Sequence, residues 1–530
     1  MSPIRSSVPP TPLVERLACA LLLAATALAL FAAWMHLGVL DPRNVGWLLD
    51  GRDRGQSAIG LAAYLAGNHW PPFHIALLSA PEGTSLLLTD SIPLLGLLLT
   101  PIATLLPPGL QFVGLWLFAS MMLQVVLAWK LVRPNAPDAI TAWLGTVLLA
   151  AMPMLFNRYI HASLCAQWLL LWALWIHVDP RRAARPSWWL AAIATATMVH
   201  SYLLLMVGSI WAGSVLRQCV HARGPRPLVP AAGIVAVAVL LLAAQGVFGG
   251  GYASTHSYGA FPLALDAWWN PANPDYSALL PSSPRGDGRG FEGLNYLGAG
   301  GLLLVLIAAT APRAAVCHLI WLVPGFAVLA LVAIGPQPLL WGEPLATLHL
   351  PLWLTDALDP IRAAGRLFWP VTYTLVYAAI VSVMALRRAT LLFAASLAVQ
   401  IVDMTPMLAA IRGTSARVDA PGLFVRTPDP RWSGLVARAA QIDFTPADPT
   451  LDLQVMEEVT WRAVQARRPV GFTYTARVPT TTRIRVATER AAFERGEIAP
   501  GHLVIVQDGK LPATLRNRAL RIDGVIVIAP

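Results

Sequence analysis

Long apolar stretches recur along this chain and constrain its fold more than any other feature. The runs near 17–37, 109–131 and 229–248 each approach the roughly 20 residues that a helix needs to cross a hydrocarbon core of about 30 Å. Hydrophobic residues make up 56% of the 530 residues, and the mean hydropathy is +0.60. The sequence therefore predicts an α-helical polytopic membrane protein, with the lipid bilayer as its first partner.

The basic composition does not indicate nucleic-acid binding. The 38 basic and 28 acidic residues give a net charge of +10, and Lys130 and Lys510 are the only lysines. The arginines lie mainly beside apolar stretches, which is typical of the positive-inside pattern and not of a base-reading surface. The four cysteines show no CxxC spacing, so neither a disulfide framework nor a zinc site is predicted.

Basic residues beside the apolar stretches also predict the number of crossings. The short, proline-interrupted stretch 91–106 is assigned to an outer loop, since one crossing must separate Asp90 from Lys130. The stretch 188–216 has basic residues at both ends, which predicts two short helices meeting near His200–Tyr202. The count is eleven crossings in a bacterial inner membrane, with a cytoplasmic N-terminus and long periplasmic loops at 38–108, 249–295 and 336–366.

The composition changes near residue 411. Residues 1–411 are predicted to form the membrane domain, and residues 412–530 a soluble periplasmic α/β domain. Residues 451–467 have the pattern of an amphipathic helix, while strands are predicted at 471–478, 481–488, 503–508 and 520–528. A domain of about 110 residues is large enough to hold its own core.

The stretch from Asp41 to Asp90 concentrates acidic residues in a chain of which 12% is charged. Loops this long are typically disordered or functional, and the aromatic residues around Trp70 argue against disorder. Carboxylates in a partly dry pocket have raised pKa values and act as general bases toward alcohols. Asp53 is favoured over Asp50 for this role; the alternative is a solvated loop in which neighbouring arginines pair with both.

Two further carboxylates are candidates for the same site. Asp90 stands directly before an apolar helix, so the alternative to a catalytic role is that it caps that helix. Glu292, in the sequence GFEGLNYLG, lies at the outer start of a predicted span, where a cap or a local ion pair is the alternative. A lone histidine such as His200, at the predicted helix break, is more often a buried hydrogen-bonding residue than a catalyst.

Arg362 and Arg366 are spaced four residues apart in DPIRAAGRLFWP. On a helix they would share one face at the outer end of a span. Guanidinium groups bind phosphate bidentately, so this pair predicts a lipid-phosphate site. The alternative is ordinary anchoring at the membrane interface, which is less favoured because arginine is biased toward the inner side.

Several motifs resemble a family of uncharacterised bacterial polytopic proteins related to the GT-C glycosyltransferases. The resemblance rests on Asp53 with Gln56 and Gly60, GTSLLLTDSIPLLGL through Asp90, QFVGLW at 111–116, FEGLNYLG at 291–298 and IRAAGRLFWP at 361–370. The chain departs from the usual pattern at Arg52, where glycine is common, and at Ser57, where histidine is common.

The resemblance implies a GT-C-like fold that transfers a sugar from a polyprenyl-phosphate donor to a periplasmic lipid or glycan acceptor. Asp53 would deprotonate the acceptor hydroxyl, and Arg362 and Arg366 would neutralise the departing phosphate. Gln56, within the matching motif, and His200 and Tyr202, at the predicted helix break, are assigned to substrate binding. Trp70 is a candidate for stacking on a sugar ring, but an aromatic belt at the membrane interface is favoured for it. No cofactor motif is present, and a divalent metal ion beside the carboxylates is the one candidate.

Two other functions fit the same composition. A glycan-lipid transporter or flippase would be expected to place its charges near mid-bilayer and to show related halves, and neither feature is evident. In a non-catalytic assembly factor for envelope polysaccharide, the C-terminal domain would be the partner surface and the acidic loop merely solvated.

Overall fold

The structure is a computed structural model, and it describes residues 13–249, 251–252, 255–283, 289–311, 314–419 and 422–530. The first part is mostly helical, and the C-terminal part carries a four-stranded sheet. This arrangement agrees with the predicted helical, apolar part followed by a small α/β part. Arg5 and part of the loop 249–295, on which the predicted topology relies, lie outside the described residues.

Helices account for most of the first part of the chain. In chain order they are α1 (Leu13–Trp34), α2 (Asp53–Ala66), α3 (Pro93–Leu99), α4 (Val113–Val132), α5 (Ala139–Ala150), α6 (Pro153–Phe156), α7 (Trp168–Val178), α8 (Pro180–Ala183), α9 (Pro186–Val199), α10 (Ser201–Ala222), α11 (Leu228–Ala244), α12 (Arg289–Glu292), α13 (Ala299–Ala308), α14 (Val323–Ile334), α15 (Leu352–Leu358), α16 (Trp369–Met384) and α17 (Ala389–Gly413). Short antiparallel ladders join β1 (His74–Ile75) to β2 (Thr84–Ser85) and β3 (Leu339–Leu340) to β4 (Glu343–Pro344).

Six helical segments of the described chain are long and apolar enough to cross a membrane. They are Leu13–Trp34, Val113–Asn135, Ser201–Ala222, Val316–Ile334, Ala364–Met384 and Ala389–Val418. Shorter apolar helices lie at Pro93–Leu105, Ala139–Ala150, Ala162–Val178, Leu228–Ala244 and Ala299–Ala308. The lengths therefore give six candidate spans. Pro93–Leu105 is shorter than all of them, which agrees with the assignment of 91–106 to an outer loop.

The chain breaks between α9 and α10, as the basic flanks predict. His200 has extended backbone (φ −166°, ψ 137°), and its Nδ1 accepts a hydrogen bond from the Tyr202 amide at 3.1 Å. This bond caps α10, because the first amides of a helix have no partner within it. The prediction of two short helices is wrong for the second, since α10 has 22 residues.

Residues at the start of α4 hold the first residues of the first long loop in position. The Gln111 side-chain amide donates to the carbonyl oxygen of Val39 at 2.8 Å and accepts from the Gly114 amide at 3.0 Å. A Cβ atom at Gly114 would lie 1.9 Å from the same carbonyl oxygen. Only glycine therefore lets α4 pack this closely against the 3-10 helix Leu37–Leu40.

The C-terminal domain is a mixed sheet with helices. Its strands are β5 (Gln441–Thr445), β6 (His502–Val506), β7 (Ala519–Ile522) and β8 (Val525–Ile528), in the order β5-β6-β8-β7. Strands β5 and β6 are parallel, and the other neighbours are antiparallel. The helices α18 (Arg431–Arg438), α19 (Leu453–Gln465) and α20 (Thr480–Glu494) complete the domain. Parallel strands need a long crossover, and α19 and α20 lie within it.

Two elements of this domain match those predicted from the periodicity of the sequence. Helix α19 confirms the amphipathic helix at 451–467, and β6 confirms the strand at 503–508. The predicted strand at 520–528 is a hairpin of β7 and β8, because Asp523 and Gly524 both have positive φ and turn the chain. Strand β5 was not predicted.

Two predicted strands are wrong. Residues 481–488 lie in α20: arginines alternating with Ile484 and Val486 imitate a period of two, but ion pairs such as Arg485–Glu489 follow the helical spacing. Residues 471–478 form a loop that lies against the first long loop, where the Ala476 amide donates to the carbonyl oxygen of Leu88 at 2.8 Å. The Gly471 amide donates to the carbonyl oxygen of Ile442 in β5 at 2.8 Å, but the segment itself forms no strand.

The C-terminal domain rests on the first long loop. The Val470 amide donates to the carbonyl oxygen of Leu77 at 2.9 Å. Arg485 pairs with Glu82 at 3.0 Å. Contacts from separate parts of the domain thus hold it over the loop that carries Asp53.

We predict that Gly114→Ala destabilises the protein by about 1–3 kcal/mol, the usual cost of overpacking a close contact. Thermal unfolding of the detergent-solubilised protein should show a lower midpoint. Gly208→Ala is the matched control, because a Cβ atom there meets nothing within 4 Å. Equal midpoints for the two variants would contradict the close approach at α4.

Candidate functional site

Side chains from four segments meet around His161, in the connection between α6 and α7. Its Nδ1 lies 3.0 Å from Oδ2 of Asp90. Its Nε2 lies 3.5 Å from Oε1 of Glu292 and 3.6 Å from Oδ2 of Asp53. The structure thus gathers three of the four carboxylates selected from the sequence around a histidine that was not selected.

Asp90 faces this cluster and does not cap the following helix. Its Oδ1 accepts from the Ser163 hydroxyl at 3.0 Å, and the Nε2 of His200 lies 3.9 Å away. Helix α3 begins at Pro93, and the residue that precedes it makes no side-chain cap bond. The capping interpretation is therefore wrong. Burial alone would raise the pKa of Asp90, but the contacts with His161, His200 and Ser163 together outweigh burial and lower that pKa.

Glu292 is the counter-charge of two arginines. Arg158 Nη1 lies 2.7 Å from its Oε2, and Arg366 donates to the same oxygen through Nε at 2.9 Å and through Nη2. Burial would raise the pKa of Glu292, but the two guanidinium groups hold that pKa well below its usual range. The alternatives to a catalytic role for Glu292 were a helix cap and a local ion pair, and the structure shows the ion pair.

His161 is held in its charged form by its neighbours. Burial disfavours the imidazolium, but the contacts with Asp90 and Glu292 outweigh burial and raise its pKa to about 9. Its Nε2 is buried and forms no hydrogen bond within the described residues. A charged N–H group is thus aimed at the space between Glu292 and Asp53.

Asp53 is the most accessible carboxylate of the cluster, with 32% of its side chain exposed. It is the first residue of α2, and its Oδ1 accepts a hydrogen bond from the Tyr474 hydroxyl at 2.9 Å. Tyr474 belongs to the C-terminal domain, and burial and the Asp53 charge raise the pKa of its hydroxyl. The two domains therefore build this site together.

Asp50 does not join the cluster. Arg54 donates to both of its oxygens, through Nε at 3.1 Å and through Nη2, and Arg52 lies 3.5 Å away. The adjacent Gly51 amide donates to Glu457 at 2.8 Å, and burial raises the pKa of that carboxyl well above its usual range. Asp50 and Glu457 thus belong to the contact between the loop and the C-terminal domain.

Arg362 and Arg366 do not share a helical face. A turn precedes the 3-10 helix Ala364–Phe368, so the four-residue spacing has no helical meaning here. Arg366 is buried against Glu292. Arg362 is exposed, with its guanidinium carbon 5.4 Å from the centre of the Phe261 ring. Within the described chain it forms no ion pair.

The remaining residues selected for substrate binding differ in position. Tyr202 stands beside the cluster: its ring centre lies 5.4 Å from Arg366, and its hydroxyl accepts from the Ala363 amide at 2.9 Å. The Gln56 side chain is buried and donates to the carbonyl oxygen of Leu88 at 3.1 Å. Trp70 is 74% exposed, as an aromatic residue at a membrane interface would be.

The carboxylates do not fit a divalent metal ion. In the part of the chain that the structure describes, no three His, Cys, Asp or Glu side chains are arranged to hold one. Hard cations need several free oxygen ligands. Both oxygens of Asp90 contact His161 or Ser163, and Oε2 of Glu292 is taken by two arginines. No chemical step is assigned to a metal.

Sequence reasoning missed His161, Arg158 and Tyr474. The sequence NRYIHASLC does hold a signal, since Arg158 and His161 interrupt an otherwise apolar region, and ionisable residues there are rarely incidental. Tyr474 gave no such signal, because it lies 421 residues from Asp53 and meets it only through tertiary structure.

We predict that the protein loses stability at alkaline pH because His161 loses its proton. Its folded pKa of about 9 lies above the ordinary 6.5, so its contribution is complete below pH 6.5 and is lost as pH rises through 9. The contribution is on the order of 3 kcal/mol. Melting temperatures between pH 6 and 10 should fall more steeply for wild type than for His161→Gln. His349→Gln, at an exposed loop position, should keep the wild-type slope; parallel curves for wild type and His161→Gln would refute the prediction.

The comparisons with known proteins give a family and no activity. Residues 24–405 match the family described as Domain of unknown function (DUF6311), and residues 431–530 match the DUF6311 C-terminal domain. The first match ends inside α17, and the second begins at α18, so the family division follows the two parts of the fold. No curated protein matches the chain.

Proposed function

We propose that this chain, which belongs to the DUF6311 family, is an integral membrane glycosyltransferase of GT-C type. It would transfer a sugar from a polyprenyl-phosphate donor to a periplasmic lipid or glycan acceptor. The observation that carries the proposal is the position of Asp53, a partly exposed carboxylate between His161 and Tyr474 at the meeting of the two domains.

The ion pairs decide which carboxylate of the site is available to act as a general base. Glu292 is neutralised by Arg158 and Arg366, and Asp50 by Arg54. Asp53 has no arginine partner in the described residues and contacts a neutral phenol through Oδ1. A general base must have an oxygen within reach of the proton that it removes, and Oδ2 of Asp53 meets this need best.

Arg362 supports the binding of a lipid phosphate. Its guanidinium makes no ion pair in the described chain, and it is close enough to Tyr474 to oppose the rise in the pKa of that hydroxyl. A free guanidinium binds phosphate through two parallel hydrogen bonds. Arg366 is committed to Glu292, so we assign the phosphate contact to Arg362 and not to the pair.

The proposed step is a single displacement with inversion. The acceptor oxygen attacks the anomeric carbon as its proton passes to Oδ2 of Asp53. The bond from that carbon to the phosphate oxygen breaks, and its electron pair leaves on the lipid phosphate. Arg362 stabilises the charge that develops there, which is where a fixed positive group has its largest effect.

The helix directions support the proposed orientation in an inner membrane. Helices α4, α10 and α16 begin at the end of the bundle that holds the cluster, and basic residues stand at their other ends, at Lys130, Arg223 and Arg387. The positive-inside tendency makes those ends cytoplasmic. We therefore propose eleven crossings, a cytoplasmic N-terminus and a periplasmic C-terminal domain. The crossings are the six long apolar segments, α9 and four of the five shorter segments, because Pro93–Leu105 stays in the outer loop.

The proposal predicts that Asp53→Asn abolishes transfer while leaving the protein in place. The amide can still accept the Tyr474 hydrogen bond, but it cannot take up a proton. Lipid and glycan profiles of a deletion strain should show an accumulated polyprenyl-phosphate sugar that wild type clears and Asp53→Asn does not. Asp41→Asn is the matched control: Asp41 is an exposed residue of the same loop, and among the described residues its side chain accepts a hydrogen bond from the Arg43 amide alone. Equal profiles for wild type and Asp53→Asn would reject the proposed chemistry and favour transport or assembly.

Arg362→Gln should weaken the use of the donor. A hydrogen bond to a charged group contributes roughly 1.5–3 kcal/mol, so the half-saturating donor amount should rise about tenfold or more. The measurement is sugar transfer in isolated membranes at varied donor pool and saturating acceptor extract. Arg43→Gln, an exposed arginine at the start of the first long loop, should behave as wild type. A larger effect on the acceptor requirement would remove the phosphate role.

A further inference from the structure

A cleft lies between the first long loop and the C-terminal domain, and Tyr474 is one of its lining residues. It has a volume of about 480 Å³, within the usual range of small-molecule sites. The loop contributes Gly51, and the C-terminal domain contributes Pro449, Thr450, Asp452, Leu453, Gln454 and Tyr474. Neither domain alone would form it.

Tyr474 connects this cleft to Asp53. The tyrosine lines the cleft, and its hydroxyl donates to Oδ1 of Asp53 at 2.9 Å. A hydroxyl group of a bound molecule that displaced the phenol would reach the same carboxylate. The cleft therefore adjoins the proposed base through Tyr474.

The cleft presents no free charge. None of its lining residues is basic. Its one acidic side chain, Asp452, is already held by Arg426 at 2.7 Å and by the Val455 amide at 3.0 Å. The remaining lining offers backbone, a hydroxyl, an amide and the face of a tyrosine ring, which is apolar with a polar edge. Such a surface favours a neutral ligand rich in hydroxyl groups.

Gly51 keeps the cleft open at its loop side. Its φ of +75° is a conformation that side chains rarely adopt, and a Cβ atom there would lie 3.3 Å from Cβ of Gln454. The loop can thus approach α19 closely without filling the space beside Tyr474.

We infer that this cleft binds the acceptor as the neutral, polyhydroxylated end of a glycan. The inference rests on the proposed transferase function. Arg362, which forms no ion pair within the described chain, attracts the phosphate-bearing donor, whereas the uncharged cleft gives an anion no partner. The cleft is then the acceptor side of the site, and Arg362 is the donor side.

The test blocks the cleft after the protein has folded. Thr450→Cys places a thiol at an exposed lining position, and Leu451→Cys places one at the exposed neighbour outside the lining. Membranes containing either variant are treated with fluorescein maleimide, and labelled wild type accounts for the exposed Cys317. The probes are the glycan and lipid fraction extracted from the deletion strain as acceptor, and its accumulated polyprenyl-phosphate sugar as donor.

Labelling Thr450→Cys should raise the half-saturating amount of acceptor fraction about tenfold or more, equivalent to about 1.4 kcal/mol of binding, and leave the donor requirement unchanged. Labelled Leu451→Cys should match labelled wild type, and the shift on labelling Thr450→Cys is measured against the same variant before labelling. An unchanged acceptor requirement, or a raised donor requirement, would overturn the acceptor assignment while leaving the Asp53 chemistry standing. Equal transfer by wild type and Asp53→Asn would instead show that the proposed function itself has failed.

Discussion

One buried carboxylate, Glu292, makes the rest of the site physically possible. Arg158 is fully buried and Arg366 is 7% exposed, and an isolated buried charge is too costly to keep. By pairing with both, Glu292 ties together the connection before α7, the segment leading into α13 and the start of α16. These segments come from distant parts of the chain, so the ion triad fixes the shape of the bundle where His161 lies.

The same constraint separates structural carboxylates from a reactive one. Arg158 and Arg366 together neutralise Glu292, and Arg54 neutralises Asp50, so Asp53 is left beside a phenol and an imidazolium. A positively charged His161 also limits the repulsion that three carboxylates would otherwise exert on one another. The cluster therefore holds several ionised groups at short distances without needing a bound cation.

The sequence indicated some residues of the site but not the contacts between them. Scarce acids in an apolar chain selected Asp53, Asp90 and Glu292, which the fold brings together around His161, and the basic flanks correctly indicated the break at His200. The ion pairs could not be predicted from local sequence, because Arg158 and Arg366, the partners of Glu292, lie 134 and 74 residues away from it in the chain.

Local pattern failed where long-range contacts decide the backbone. The spacing of Arg362 and Arg366 indicated a shared helical face, yet a turn separates them. Residues 481–488 had the alternation of a strand, but ion pairs with Glu82 and Glu489 fix Arg485 on a helix that contacts the loop. The crossing count and the transfer chemistry remain proposals.

The bond between Tyr474 and Asp53 also orders the assembly of the site in time. Asp53 is synthesised early, and its phenol partner follows 421 residues later, when nearly all of the chain has left the ribosome. Chains are made from the N-terminus, and domains fold largely as units in that order. The helical part can thus insert while its key carboxylate still lacks its partner, and the C-terminal domain completes the site last. A chain that is still being synthesised, or one truncated before residue 474, therefore lacks the tyrosine that completes the site.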